Sequence, residues 1–213
     1  MVNNLDIQIA KPFGPSIAKI KIPDQMILKL NNYIDDIIKD EKKSKAQDYG
    51  LKLAGQVTQE FHLDKNFCEN SGWLEFLGKC VTVWIQKSTN HSIKTFNLRD
   101  SWVVRQFKNE YNPVHWHNGH ISGVGYLKVP ENFGDTLQKK KDNPNGRLAL
   151  LHGSRQFLSD STFDITPKVG ELYFFPNYMM HTVYPFKDSD EERRSISFNA
   201  DVDENIYNVY SSS

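Results

Sequence analysis

The chain has 213 residues, a length that suits one domain with a substantial hydrophobic core. Its 26 Lys and Arg residues balance 26 Asp and Glu residues, so no overall charge attracts nucleic acid or an anionic membrane surface. No apolar run approaches the roughly 18 residues of a membrane span and the first residues lack the pattern of a signal peptide, so we expect a cytoplasmic protein without membrane or nucleic-acid partners.

The first part of the chain predicts short strands followed by helices. Alternating runs at residues 6–9 and 17–22 are typical of strands. Apolar residues at helical spacing from 26 to 38 then predict an amphipathic helix, for which Asp24 is a suitable N-cap. A second amphipathic helix is predicted for residues 71–86.

The second part of the chain changes to short apolar or alternating runs broken by Gly, Pro, Asn and Asp. The predicted strands are residues 101–107, 122–129, 147–151, 171–175, 181–184 and 193–198. Many short strands that follow helices indicate a mostly β fold, a sandwich or barrel with helical support. We therefore expect a single domain in which residues 1–94 support a β core formed by residues 95–213.

Histidine placement is the strongest functional signal. Three of the seven histidines lie within residues 115–120, and His181 stands alone at another predicted strand. His115 and His117 are two residues apart, so in an extended segment their imidazoles project to the same side. A lone histidine is more often a hydrogen-bonded surface or core residue. A same-face pair in a Gly-rich, strand-rich region instead favours metal binding.

Two predicted strands carry further polar candidates. On the strand after the histidines, Tyr126 shares a face with Ser122, although a core tyrosine with a satisfied hydroxyl is the simpler interpretation. On the last strand, one face carries Arg193, Ser195, Ser197 and Asn199. Either this face meets water, or it looks into the protein, where Arg193 needs an anion. A dicarboxylate would supply one, held by Arg193 and the hydroxyl of Ser195.

Together these motifs resemble the 2-oxoglutarate- and Fe(II)-dependent oxygenases, specifically their prolyl-hydroxylase-like branch. The resemblance covers about residues 101–199. It rests on NPVHWH at 112–117, SGVGYL at 122–127, GELYFFP at 170–176 leading to His181, and RRSISFN at 193–199. The family has a double-stranded β-helix, a jelly-roll and cupin-like barrel, and the resemblance implies this fold here with N-terminal helices packed on one sheet.

The resemblance also implies roles for individual residues. His115, His117 and His181 would bind Fe(II), while Arg193 and Ser195 would grip the distal carboxylate of 2-oxoglutarate. Tyr126 matches a tyrosine that often assists this carboxylate. The implied reaction consumes O2, converts 2-oxoglutarate to succinate and carbon dioxide, and hydroxylates an unidentified small molecule or peptide side chain.

One position departs from the family pattern. The second metal ligand is usually Asp or Glu, and here it is His117. Three neutral imidazoles would leave the iron more positive until the 2-oxoglutarate dianion binds. Two alternatives remain open. The motif could start at His117 and leave Gly119 in the next ligand position, as in halogenating relatives, or a carboxylate from elsewhere in the chain could complete the site.

Other interpretations compete with this one. A literal His-x-Asp occurs at His62 and Asp64, but it follows a segment that we expect to be helical and precedes no Gly-rich strand, so a surface turn is favoured. A cupin-type metalloenzyme would not need 2-oxoglutarate, yet cupins usually add a glutamate where this chain has Ile121 and Ser122. A non-catalytic β-helix binding module would bind no metal.

Overall fold

Two antiparallel β-sheets and a group of helices make up the structure, a computed structural model that describes residues 14–136, 138 and 142–209. The strands are β1 (Ala18–Lys21), β2 (Gln59–His62), β3 (Phe96–Gln106), β4 (Asn112–His115), β5 (Ile121–Lys128), β6 (Leu148–Leu151), β7 (Thr162–Ile165), β8 (Glu171–Pro176), β9 (Met180–Val183) and β10 (Arg193–Val202). The helices are α1 (Asp24–Lys39), α2 (Glu41–Ala46), α3 (Lys65–Ser71), α4 (Trp73–Thr89) and α5 (Glu204–Tyr207). The strand predicted at residues 6–9 lies outside the described residues.

The strand order gives the predicted double-stranded β-helix. The larger sheet runs β1-β8-β5-β10-β3-β2 and the smaller sheet runs β4-β9-β6-β7, so neighbours in space are mostly distant in sequence. All six strands predicted for the second part of the chain are present, with bounds shifted by a few residues. The described strands form two facing sheets without hydrogen bonds between them, so the predicted barrel is not closed.

The helices cover one side of the larger sheet, as predicted. Buried side chains along α1 and α4 repeat at helical spacing and join one hydrophobic cluster with residues of β8 and β10. These side chains are Leu30, Ile34 and Ile37 of α1, Trp73, Leu77, Val81 and Ile85 of α4, and Phe174, Ile196 and Phe198 of the sheet. In the described part of the chain, no helix has both the length and the apolar character needed to cross a membrane.

Successive residues of β5 point alternately toward the helices and into the space between the two sheets. Val124 and Tyr126 belong to the cluster between the sheets, whereas Gly123 faces the helices. An ideal Cβ at Gly123 would lie 2.4 Å from the Phe198 ring and 2.9 Å from the Phe174 ring. Only glycine lets these two rings pack directly on the β5 backbone, which keeps the inner face of the strand turned toward the histidines.

Two local predictions were wrong. Helix α1 begins at Asp24 with Pro23 at the N-cap and no side-chain cap, so Asp24 lies in the first turn. Its carboxylate there interacts favourably with the positive end of the helix dipole. The segment before His62 is the strand β2 rather than a helix. Its central residues Glu60 and Phe61 are both buried, and this pattern lacks the polar alternation by which strands are recognised.

Candidate functional site

Three histidines meet between the two sheets. His115 ends β4 and is paired in register with His181 of β9. His117 follows two residues later, held by a 3.1 Å hydrogen bond from its backbone N to the carbonyl of Asn177. One ring nitrogen from each histidine lies within 4.8 Å of the others. The backbone pairing of β4 with β9 therefore brings His181 to two histidines that precede it by 64 or more positions.

Backbone carbonyls orient two of the three rings. His115 Nδ1 lies 2.7 Å from the carbonyl oxygen of Pro113, and His181 Nδ1 lies 2.8 Å from that of Met179. A carbonyl can only accept, so both Nδ1 atoms carry the hydrogen and both Nε2 atoms keep a free lone pair. His117 Nε2 is 3.0 Å from His181 Nε2. This is the arrangement in which metal-binding histidines are usually held.

Burial keeps all three imidazoles neutral. It lowers the pKa of His117 to about 2 and that of His181 to about 4, and it also lowers the pKa of His115. The neighbouring imidazoles add to the effect at His117 and His181 because two positive rings would repel each other. Neutral imidazole is the form that binds a metal, so protons compete little for the site near pH 7.

The described part of the cluster contains no carboxylate, so its metal-ligating groups are the three histidines alone. The alternative in which His117 opens the motif fits the geometry less well. Gly119 has a φ of +90°, and the three atoms nearest to an ideal Cβ there belong to Ala200, Arg99 and Asp201 rather than to a histidine. His120 also lies outside the cluster, stacked on Tyr207 with a ring-centroid distance of 3.8 Å.

An arginine without a counterion lies in the same cavity. The polar face of β10 points inward, and Arg193 and Ser195 line the cavity with the three histidines. Arg193 is 1% exposed, its Nη1 is 3.4 Å from Ser195 Oγ, and its guanidinium carbon is 5.1 Å from the centroid of the Tyr126 ring. Its Nε and Nη2 and the hydroxyl of the fully buried Tyr126 have no hydrogen-bond partner among the described residues.

These unpaired groups indicate what the cavity binds. Burial lowers the pKa of Arg193 and raises that of Tyr126 to about 12, so a charged guanidinium faces a neutral phenol. A buried cation without a partner costs several kcal/mol, and a planar guanidinium matches a carboxylate with two parallel hydrogen bonds. The donor set therefore fits a carboxylate ligand a short way from a metal centre, as 2-oxoglutarate would require.

The rejected His-x-Asp pair serves two separate structural purposes. His62 Nε2 is 3.8 Å from Asp100 Oδ1 at the edge of the larger sheet. Asp64 caps α3 by accepting a 2.7 Å hydrogen bond from the backbone N of Phe67, and it also accepts one from the hydroxyl of Tyr33. Neither residue belongs to the histidine cluster. The predicted surface turn is in fact a strand end followed by a helix cap.

Sequence reasoning missed three residues beside the histidines. The ring centroid of Trp102 on β3 lies 5.4 Å from that of His117. Asn112 and Trp102 line the cavity, and Glu60 of β2 lies in an adjoining cleft. Asn112 could have been noticed at the start of the NPVHWH motif. Glu60 could not, because the strand that carries it has no clear sequence signature.

Comparisons with known proteins agree with this geometry. Residues 100–199 match the model of a family described as putative 2OG-Fe(II) oxygenase, a range that includes the three histidines, Arg193 and Ser195. No curated protein sequence matches the chain.

Similar solved structures share the fold. A Pseudomonas putida prolyl-4-hydroxylase has 16% identity and a TM-score of 0.55, covering 86% of this chain and 91% of that one. A viral collagen prolyl hydroxylase from Paramecium Bursaria Chlorella virus-1, solved with 2OG, has 17% identity and a TM-score of 0.54, covering 86% and 94%. A non-heme alpha-ketoglutarate-dependent epimerase from nogalamycin biosynthesis has 12% identity and a TM-score of 0.57, covering 87% and 77%. At such identities the likeness concerns the fold.

Proposed function

We propose that this chain, a member of the 2-oxoglutarate- and Fe(II)-dependent oxygenase superfamily, is a hydroxylase that oxidises a C–H bond of an organic substrate. The observation that carries the proposal is the presence, in one cavity, of three neutral histidines and the unpaired guanidinium of Arg193. A metal site alone would also suit a cupin-type enzyme. The buried arginine adds a second requirement that a dicarboxylate co-substrate satisfies.

In the proposed site, His115, His117 and His181 would hold Fe(II) through ring nitrogens. The bound iron and 2-oxoglutarate supply the oxidising chemistry, in which O2 is consumed and succinate and carbon dioxide are released. The two carbonyl-bound Nδ1 hydrogens keep His115 and His181 in the tautomer needed for ligation. In the 3.0 Å contact between the two Nε2 atoms, the lone pair of His181 accepts and His117 donates, so His117 would move this hydrogen to Nδ1 in order to bind a metal through Nε2.

Other residues of the cavity orient the co-substrate and exclude water. Arg193 and Ser195 donate to the distal carboxylate, and the hydroxyl of Tyr126, whose ring centroid lies 5.1 Å from the guanidinium carbon, joins them. Phe175 packs edge-on against His181 with a ring-centroid distance of 5.1 Å. Apolar neighbours of this kind limit access of water to the reacting groups. The three histidines contribute no negative charge, so the 2-oxoglutarate dianion would supply the charge that balances a bound metal.

Two similar structures are named as prolyl hydroxylases and one as an epimerase, and the same fold supports different outcomes. We propose hydroxylation of a small molecule or a peptide side chain. A cytoplasmic location also remains a proposal, with which the two free cysteines, Cys68 and Cys80, are compatible.

An anaerobic titration tests the proposal. The protein is loaded with Fe(II) without oxygen, and 2-oxoglutarate is then added while the visible absorption spectrum is recorded. We expect a charge-transfer band that saturates at one equivalent. Iron binding without such a band would favour the cupin-type alternative. Absence of iron from the protein would favour a non-catalytic binding module.

A further inference from the structure

A second cavity opens beside the histidines. This cleft of about 280 Å³ shares Trp102, Asn112, His115 and His117 with the cavity that contains Arg193, but Arg193 and Ser195 are not part of it. The metal centre of the proposed function therefore lies between two spaces. One has the donors for a carboxylate, and the other gives a second molecule access to the histidines from a different direction.

A buried carboxyl group without a partner lies in the wall of this cleft. Glu60 is 2% exposed, and its Oε1 has no hydrogen-bond partner among the described residues. It packs against Gly55 so closely that an ideal Cβ there would lie 2.7 Å from Oε1 and 3.1 Å from Asn112 Nδ2. A buried polar group in this condition is costly unless a ligand completes it.

Nearby acidic groups make a cation the favoured ligand. Burial raises the pKa of Glu60 to about 7, and the negative charges of Asp48 and Glu110 add to this effect. Both are already engaged, since Asp48 accepts from the backbone N of Gly50, and Glu110 accepts from Thr58 and from the backbone N of Phe107. Glu60 Oε1 thus keeps free acceptor capacity beside two carboxyl groups that are already engaged.

Aromatic rings in the cleft suit the same type of ligand. Tyr49, Trp102 and Trp116 line it, with the ring centroids of Tyr49 and Trp102 6.3 Å apart. The ammonium of Lys52 lies 4.9 Å from the centroid of the Tyr49 ring, so one of these rings already accepts a cation from the protein itself. Ring faces attract ammonium and guanidinium groups by their negative quadrupole.

The described lining of the cleft has three charged groups besides Glu60, of which Arg99 and Asp100 have polar partners and Lys52 lies over the Tyr49 ring. Arg99 forms a 2.5 Å ion pair with Asp201, and Asp100 accepts a 2.9 Å hydrogen bond from the hydroxyl of Tyr49. Neither competes strongly for a ligand that enters the cleft. The balance of unused groups is therefore one buried carboxyl together with aromatic surface.

We propose that this cleft selects a primary substrate with a protonated amino or guanidino group, which the Glu60 carboxylate binds while the reacting carbon faces the histidines. The substrate class is a basic amine, such as a basic amino acid or the basic side chain of a peptide. This inference rests on the proposed function, because the cleft leads to the proposed metal ligands.

The four tryptophans of the chain provide a direct binding test. Trp102 and Trp116 line the cleft, whereas Trp73 and Trp84 lie on α4. The protein is labelled with ¹⁵N, loaded with diamagnetic Zn(II) and 2-oxoglutarate, and titrated with n-butylammonium chloride. We expect the indole N–H signals of Trp102 and Trp116 to shift and those of Trp73 and Trp84 to remain in place. Matched titrations with n-butanol and sodium chloride should leave all four unchanged.

A pair of isosteric variants assigns the effect to one carboxylate. Glu60→Gln should weaken n-butylammonium binding by about tenfold or more, since it removes a charge-assisted hydrogen bond. Glu41→Gln is the control, because the Glu41 carboxyl pairs with Lys45 on the surface of α2. Equal shifts with butanol and butylammonium in the wild type, or unchanged affinity in Glu60→Gln, would overturn the inference.

The same samples separate this inference from the proposed function. The charge-transfer band of Fe(II) with 2-oxoglutarate does not involve Glu60, so it should persist in Glu60→Gln. A missing band in the wild type would contradict the proposed function, whatever the tryptophan signals show. A normal band together with cation binding that is absent or independent of Glu60 would contradict only the substrate class.

Discussion

Two adjacent arginines lie on opposite faces of β10, and the described residues supply a counterion for only one of them. Both are 1% exposed. Arg194 points toward α1, where its guanidinium contacts Asp35 at 2.7 Å, Glu192 at 2.6 Å and Asn31 Oδ1 at 3.0 Å. Arg193 points toward the histidines, where its one hydrogen-bond partner among the described residues is Ser195 Oγ, at 3.4 Å.

This difference distinguishes a structural arginine from a ligand-binding one. A buried charge that the fold itself pairs is part of the packing between the helices and the sheet, and nothing further is needed to explain it. A buried charge that the fold leaves unpaired, beside a tyrosine hydroxyl that is also unpaired, is explained by a ligand. The outer face of the larger sheet is thus complete without a ligand, and the inner face is not. Mutations on the two faces should accordingly affect different measurements.

The largest effect is expected at the histidines. His115→Ala and His181→Ala should each abolish iron binding, because a facial site loses one of three protein ligands. The fold should survive, since each change removes little apolar burial. Metal content after equilibrium dialysis and the circular dichroism spectrum check both statements. His152→Ala is the control, because His152 is exposed and lies outside the cluster. Wild-type iron content in either cluster variant would refute the assignment.

The next effect concerns the inner arginine. Arg193→Ala should weaken 2-oxoglutarate binding by roughly 30-fold or more, because truncating one partner of a buried charged pair typically costs about 2–5 kcal/mol. Iron binding should persist, and stability without 2-oxoglutarate should change little, because Arg193 has no counterion to leave behind. Anaerobic titration of the charge-transfer band and urea denaturation measure the two quantities.

The outer arginine should give the reverse result. Arg194→Ala leaves Glu192 with fewer partners, and removing one member of a buried pair typically destabilises by about 3–5 kcal/mol. We expect a smaller loss, about 2–3 kcal/mol, because Asp35 also pairs with Lys128 and Glu192 also pairs with Arg105. The affinity of the folded protein for 2-oxoglutarate should be close to wild type. If Arg194 proved essential for this affinity and Arg193 did not, the inward face of β10 would have to be reassigned.

The sequence predicted elements whose pattern is local and left open those that depend on packing. The helical stripe of α1 and the alternation along β5 and β10 were sufficient to identify these elements. The inward face of β10 was not determined by sequence, because an arginine stands on each face. It is Asp35 on α1 that makes one face structural, and its contact with Arg194 spans 159 positions of the chain.

The histidine cluster illustrates the same limit. The His-x-His spacing identified two residues of the cluster, but the partnership with His181 depends on the pairing of β4 with β9. Strand β4 was not predicted, since it has four residues and includes Pro113. The register that sets His115 opposite His181 follows from the whole jelly roll. For the same reason Glu60, on the unpredicted strand β2, was identified as a candidate site residue only in the structure.

The smallest effects are expected at the His-x-Asp pair of His62 and Asp64, where the contrast between binding and structural residues can be tested away from β10. His62→Ala should change stability by no more than about 0.5 kcal/mol, because the His62 side chain is partly exposed at the sheet edge and its 3.8 Å contact with Asp100 is long. Asp64→Ala should cost about 1 kcal/mol, because it removes the N-cap of α3. Both variants should bind iron and 2-oxoglutarate as the wild type does. Loss of iron with unchanged circular dichroism would move the metal centre to β2 and α3, and the unpaired arginine on β10 would then need another explanation.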